Sequence, residues 1–132
     1  MNWVDCLPFQ QIWLVDFEFD APDGERPTPV CVVAKEVRSG QVLRLWQDEM
    51  ERLKQPPYSV DRDSLFVAYY ASAELGCHLA LHWPLPENVL DLFPEFRALT
   101  NGKTIPNGNS LLGALAYFGL SCMDAVEKNT MR

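Results

Sequence analysis

Two acids stand two residues apart in the apolar segment Ile12-Trp13-Leu14-Val15-Asp16-Phe17-Glu18-Phe19. The segment is too rich in β-branched and aromatic residues to make an easy helix and reads as a strand. In a strand, side chains i and i+2 point the same way, so Asp16 and Glu18 share a face with Ile12 and Leu14. Two neighbouring carboxylates repel each other and lose hydration. A hard divalent cation such as Mg²⁺ or Mn²⁺ offsets both costs through oxygen ligands. A strand emerging into solvent carries the same Asp-x-Glu pattern with no ion at all, and spacing alone leaves both readings open.

Glu74 falls in the first turn of the next apolar helical stretch, where the macrodipole favours a carboxylate with or without a function. Helical spacing puts it on a stripe with Cys77, His78 and Leu81 rather than with Leu75 and Leu79. Asp91 interrupts Val89-Leu90-Asp91-Leu92 at a strand end. Such ends border ligand crevices in α/β sheets, yet Asp91 equally suits the N-cap of the segment that follows. His78 and His82 have the i, i+4 spacing of a zinc pair, but Leu79-Ala80-Leu81 between them supplies no acid. Tyr69 and Tyr70 end a strand, where they either pack at the rim of the core or stack on a base. No glycine-rich phosphate loop, nucleophile elbow or Cys-His nucleophile pattern is present.

The elements that must position these residues follow from the chain's punctuation. The first strand, Ile12–Phe19, ends in the turn chemistry of Asp20-Ala21-Pro22-Asp23-Gly24. A second strand is expected over Thr28–Arg38, a hairpin turn at Ser39-Gly40, and a third strand over Gln41–Trp46. A charged helix, Gln47–Gln55, stops at Pro56-Pro57. Ser64–Tyr70 reads as a buried strand and Ser72–Trp83 as a helix, with Leu75, Leu79 and His82 as its core stripe. Val89–Leu92 is a short strand leading into a helix at Pro94–Leu99. Thr100–Asn109 is a loop, and Ser110 caps a helix whose Leu111, Leu112, Leu115 and Phe118 form a core face. Ser121–Asp124 reads as a capping box opening a last helix. An antiparallel meander followed by alternating helices and strands implies an α/β fold, a mixed sheet with helices packed on it. That order matches the ribonuclease H-like architecture.

Composition bounds the rest. The chain has 132 residues, 48% apolar, which is enough to bury a core as a single domain spanning 1–132 without a structural metal or disulfides. No apolar run is long enough to span a membrane and no basic signal region precedes one, so a cytoplasmic protein without membrane partners is expected. Cys6, Cys31, Cys77 and Cys122 form no CxxC pair and read as buried free thiols. Eighteen acids against eleven bases give a net charge of −7, which repels phosphate unless cations intervene.

Taken together, the acids resemble a known family. Val15-Asp16-Phe17-Glu18 resembles the first motif, Asp-x-Glu, of the DnaQ-like (DEDD) 3′–5′ exonucleases. Phe66-Val67-Ala68-Tyr69-Tyr70-Ala71-Ser72-Ala73-Glu74-Leu75 resembles the second. The nearest group is the exonuclease region of bacterial and phage-type family A DNA polymerases, and the resemblance covers nearly the whole chain. It departs in three places. Tyr69-Tyr70 stands for a His-Asn pair, and Ala73 for an aromatic. The third motif is missing, since Tyr117 lies seven residues before Asp124.

The resemblance implies that Asp16, Glu18 and Glu74 are catalytic and, with Asp91, hold Mg²⁺ or Mn²⁺. It also implies that Phe17, Tyr69, Tyr70 and Ser72 contact substrate. The reaction would be two-metal hydrolysis of a terminal phosphodiester at a single-stranded DNA 3′ end, with a polymerase domain in cis. A domain cut before the third motif would be a weak nuclease or none. The alternative is a non-catalytic remnant of the fold that binds partners or forms a homodimer through an exposed sheet edge. A ribonuclease H-like protein with another substrate is a third option.

Overall fold

The computed structural model describes residues 3–22 and 24–120. The chain forms two compact units, 1–91 and 92–132. The first holds a five-stranded sheet built from β1 (Gln11–Asp20), β2 (Thr28–Glu36), β3 (Val42–Trp46), β4 (Ser64–Ala68) and β5 (Val89–Asp91), in the order β3-β2-β1-β4-β5. β1 and β2 pair antiparallel, as do β2 and β3, whereas β4 runs parallel to β1 and β5 parallel to β4. β2 therefore runs alone against the other four. The fold is α/β with a mixed sheet, as the alternation of elements implied.

One face of this sheet carries the main core. Trp13, Val15 and Phe17 of β1, Val32 and Ala34 of β2 and Phe66 and Ala68 of β4 are buried there. α1 (Gln47–Arg52) adds Met50, and α2 (Ala71–Ala80) adds Ala71 and Cys77. Of the expected stripe of Leu75, Leu79 and His82, only Leu75 packs half-buried against the core, and His82 is exposed. α2 buries Ala71, Glu74, Cys77 and His78 instead, while Leu79 is 58% exposed. The aromatic sheet face explains the swap, because Phe17 and Phe66 fill the volume and small residues let the helix approach. α2 also ends before Trp83, at Ala80, and His82 turns back with a positive φ of 58°.

On the opposite face a smaller cluster joins Ile12, Leu65 and Val67 to Val4, from a short 3₁₀ turn at Trp3–Cys6. Arg38 ties this segment down, donating from Nε to the Phe9 carbonyl and from Nη2 to the carbonyls of Val4 and Leu7. Only Val4 of that turn is buried, so Cys6 is exposed rather than a buried thiol. Cys31 is half-buried and Cys77 buried, all three free. The β2–β3 turn is the expected hairpin, with Gly40 at φ 77°. Glu36 braces it from inside, accepting from the backbone N–H groups of Ile12, Arg38 and Ser39.

The second unit contains α3 (Leu92–Leu99) and α4 (Leu111–Tyr117). Ser110 caps α4 as expected, its hydroxyl accepting from the Gly113 N–H. The face buried on α4 is Gly113 and Ala114, not the expected leucine stripe, and Leu111 and Phe118 are 45% and 51% exposed. A Cβ at Gly113 would collide with the Gly108 carbonyl oxygen, so close approach of the preceding loop dictates glycine there. The Ser121–Asp124 capping box lies outside the described residues. Among the described residues no helix is long and apolar enough to cross a membrane.

Candidate functional site

β1 pairs with β4 only as far as Leu14↔Val67, while its pairing with β2 continues to Asp20. Past Leu14 the two parallel strands separate, and the β4 side of β1 loses its ladder partner. Glu74 occupies that gap. Its Oε2 accepts from the Phe17 N–H at 2.8 Å, so a side chain from α2 stands in for the missing strand. Asp16 and Glu18 flank Phe17 on the other sheet face. The Asp-x-Glu pair thus lies just past the point where neighbouring parallel strands part. Such partings form the ligand crevices of α/β sheets. A bulge follows at once, because the register steps from Glu18↔Cys31 to Phe19↔Pro29 and passes over Val30.

Electrostatics unites the three acids. Glu74 is 4% exposed. Burial pushes its carboxyl up from an ordinary 4.5 to about 8; the Phe17 N–H opposes that shift, and the negative charges of Asp16 and Glu18 add to it. Among the described residues the Phe17 N–H is the only hydrogen-bond donor to this carboxylate. The Cys31 thiol is likewise raised, first by burial and then by Glu18 and Asp16, against a backbone contact with Glu18.

Asp91 has a different task. Its Oδ1 accepts from the Tyr70 N–H at 2.9 Å and its Oδ2 from the Ala71 N–H at 3.0 Å, so both oxygens hold the start of α2. Of the two readings of Asp91, the geometry shows a helix cap, but for the helix before it in the chain. Tyr70 is the residue so held, in the left-handed region at φ 70°, ψ 63°. It is not the last residue of β4 but the strained junction between β4 and α2, and its side chain is 53% exposed. Tyr69 is half-buried, and burial followed by the charge of Asp91 raises its phenol. Ser72 is exposed and Phe17 buried in the core.

His78 and His82 do not form a pair. His78 is fully buried, its Nε2 paired with the Tyr58 hydroxyl and its Nδ1 with the Pro84 carbonyl. Phe17, Tyr58, Phe66 and Trp83 surround its ring at 5.5–5.9 Å. Burial lowers its basicity, so it is a neutral core histidine.

No family model and no curated protein matches the chain. The site therefore rests on its own chemistry. Asp16, Glu18 and Glu74 bring three carboxyl groups to this part of β1, that of Glu74 raised first by burial and then by the other two. Among the described residues no group of three His, Cys, Asp or Glu side chains is placed so that it could hold a metal ion.

Proposed function

We propose that the gap between β1 and β4 is the catalytic centre of a DnaQ-like 3′–5′ exonuclease fold. The observation that carries this reading is the docking of Glu74, from the second-motif segment, onto the backbone between Asp16 and Glu18. The strand order, with β2 alone reversed, is compatible with the ribonuclease H-like architecture that the order of elements matched, and supports the same reading.

In this reading Asp16, Glu18 and Glu74 hold Mg²⁺ or Mn²⁺, which when bound supplies the activation of water and the neutralisation of phosphate charge. The chain's own part is positional. The Phe17 N–H fixes Glu74, the Asp91 cap fixes the start of its helix, and the exposed ring of Tyr70 would stack on the terminal base of a single-stranded DNA 3′ end. Asp91 serves as a positioning residue here. A polymerase module in the same polypeptide is the partner that the resemblance adds.

The test is release of mononucleotides from a 3′-labelled single-stranded oligonucleotide in Mn²⁺. Slow, chelator-sensitive release is expected, lost in Asp16→Asn. With Tyr69-Tyr70 and Ala73 departing from the second motif, the rate should fall well below the common enzymatic range of about 1–10³ s⁻¹. Release equal in wild type and Asp16→Asn would overturn the assignment. A non-catalytic role is then the remaining reading, favoured by the neutral state of Glu74 near pH 7.

A further inference from the structure

The outer face of the β1–β2–β3 meander is a block of nine side chains in three cross-strand rows. Register places Leu14, Lys35 and Val42 in one row, Asp16, Val33 and Arg44 in the next, and Glu18, Cys31 and Trp46 in the third. Residues opposite one another in a ladder share a face. Five of the nine are apolar, although an outward antiparallel face ordinarily alternates to polar residues. Leu14, Val33, Val42 and Trp46 are 41%, 40%, 46% and 64% exposed, and Asp16, Lys35 and Arg44 are exposed too. Acids occupy the β1 column, and bases occupy the β2 and β3 columns.

We infer that this face binds a second copy of the chain, sheet against sheet, about a two-fold axis running along β2. Such an axis lays the β1 column of one copy over the β3 column of the other. Asp16 then meets the second copy's Arg44, twice by symmetry, Leu14 meets Val42, and Val33 meets itself. The other in-plane axis, across the strands, sets Asp16 against Asp16 and Leu14 against Glu18, so charge selects the first. Lys35 falls near its own counterpart under this axis, and the ~30° rotation usual between packed sheets moves the two apart. The block measures about 14 by 17 Å from strand spacing and rise. That is small beside the ~800 Å² per partner of a standard interface, so the dimer is weak and reversible. The face carries Asp16 and Glu18, so pairing would cover the acids of the candidate site. The inference does not depend on catalysis.

Sedimentation equilibrium of the full chain, without metal or nucleic acid, tests it. The weight-average mass should rise from that of the monomer toward twice that value as concentration passes through the tens to hundreds of micromolar, roughly −5 to −6 kcal/mol of association. Arg44→Asp and Asp16→Arg should each weaken the dimer at least about tenfold, and the double variant should restore it to within about threefold of wild type. Restoration distinguishes a lost contact from a lost fold, and Trp46→Ala, at the edge of the block, should weaken the dimer without charge change. A monomer at every concentration would overturn the inference. So would a dimer indifferent to Arg44→Asp and Trp46→Ala, or a double variant that folds but stays monomeric.

Discussion

Glu74→Gln removes a charge from the junction of β1 and α2 while keeping an acceptor for the Phe17 N–H. In the wild type the folded chain holds the Glu74 proton to about pH 8, whereas the unfolded chain releases it near the ordinary 4.5. The folded state thus binds the proton more tightly, and this contribution to stability is complete below about pH 4.5. It declines as pH rises through the interval and is gone above about pH 8. At about 1.4 kcal/mol per pH unit the loss is of order 3 kcal/mol by pH 7 and of order 5 above pH 8. A domain stable by 5–15 kcal/mol in total would register such a loss plainly.

The variant has no proton to lose at this site. Urea unfolding at about pH 5 should give Glu74→Gln and wild type similar stability, and at about pH 8 the variant should be more stable by several kcal/mol. Millimolar Mn²⁺ at pH 8 should then stabilise wild type and leave Glu74→Gln nearly unmoved, because binding to the folded state adds RT ln(1 + [L]/Kd) only where the ligands exist. Equal pH dependence in the two proteins would refute the reasoning, as would a variant less stable at both values. Either result would mean that the Glu74 carboxylate is ionised and compensated in the fold.

Other perturbations follow from the same geometry. Asp91→Ala leaves the Tyr70 and Ala71 N–H groups without their acceptor and should cost about 1–2 kcal/mol in chemical unfolding. Tyr70→Gly, which relieves the φ of 70°, should be neutral or stabilising by about 1 kcal/mol while removing any aromatic contribution to oligonucleotide binding. Tyr58→Phe strips the Nε2 partner from buried His78 and should cost about 1–3 kcal/mol in urea unfolding. Burial alone would raise Glu36, but three backbone donors bring it down to about 2, so its contribution is present above pH 4.5 and is lost as acid approaches pH 2; Glu36→Gln should blunt that acid transition in a pH melt.

The order of strands and helices was legible because the chain punctuates itself. Ser39-Gly40 and Ser110 mark ends that turn chemistry and capping decide locally, whereas α1 stops at Arg52, short of Pro56-Pro57. Which face of a helix turns inward was not, since that depends on what lies opposite. Leu75 and Leu79 look like a core stripe in isolation. Against Phe17 and Phe66 the close-packed side of α2 is the one with Ala71 and Cys77, and this brings Glu74 inward with it. The pairing of Asp16 and Glu18 on one face follows from period two alone. The departure of β4 from β1 is a property of two strands and no single segment announces it. Lys35 and Arg44 could have been placed on one face of the β2–β3 hairpin, had alternation been counted outward from Ser39-Gly40 through both strands.

The burial of Glu74 and the apolar outer face of the meander bear on the same two residues from opposite sides. Asp16 and Glu18 project outward, among Leu14, Val33 and Arg44, while their charges also raise the Glu74 carboxyl, which accepts from the Phe17 N–H between them. Whatever neutralises the outward pair, an Arg44 from a second copy or a divalent cation, removes part of the repulsion that keeps Glu74 protonated. Each would therefore lower the Glu74 value and draw a proton from the site, and the two would compete for Asp16. Dimerisation and cation binding should consequently be antagonistic, with a coupling that is equal whichever is measured first.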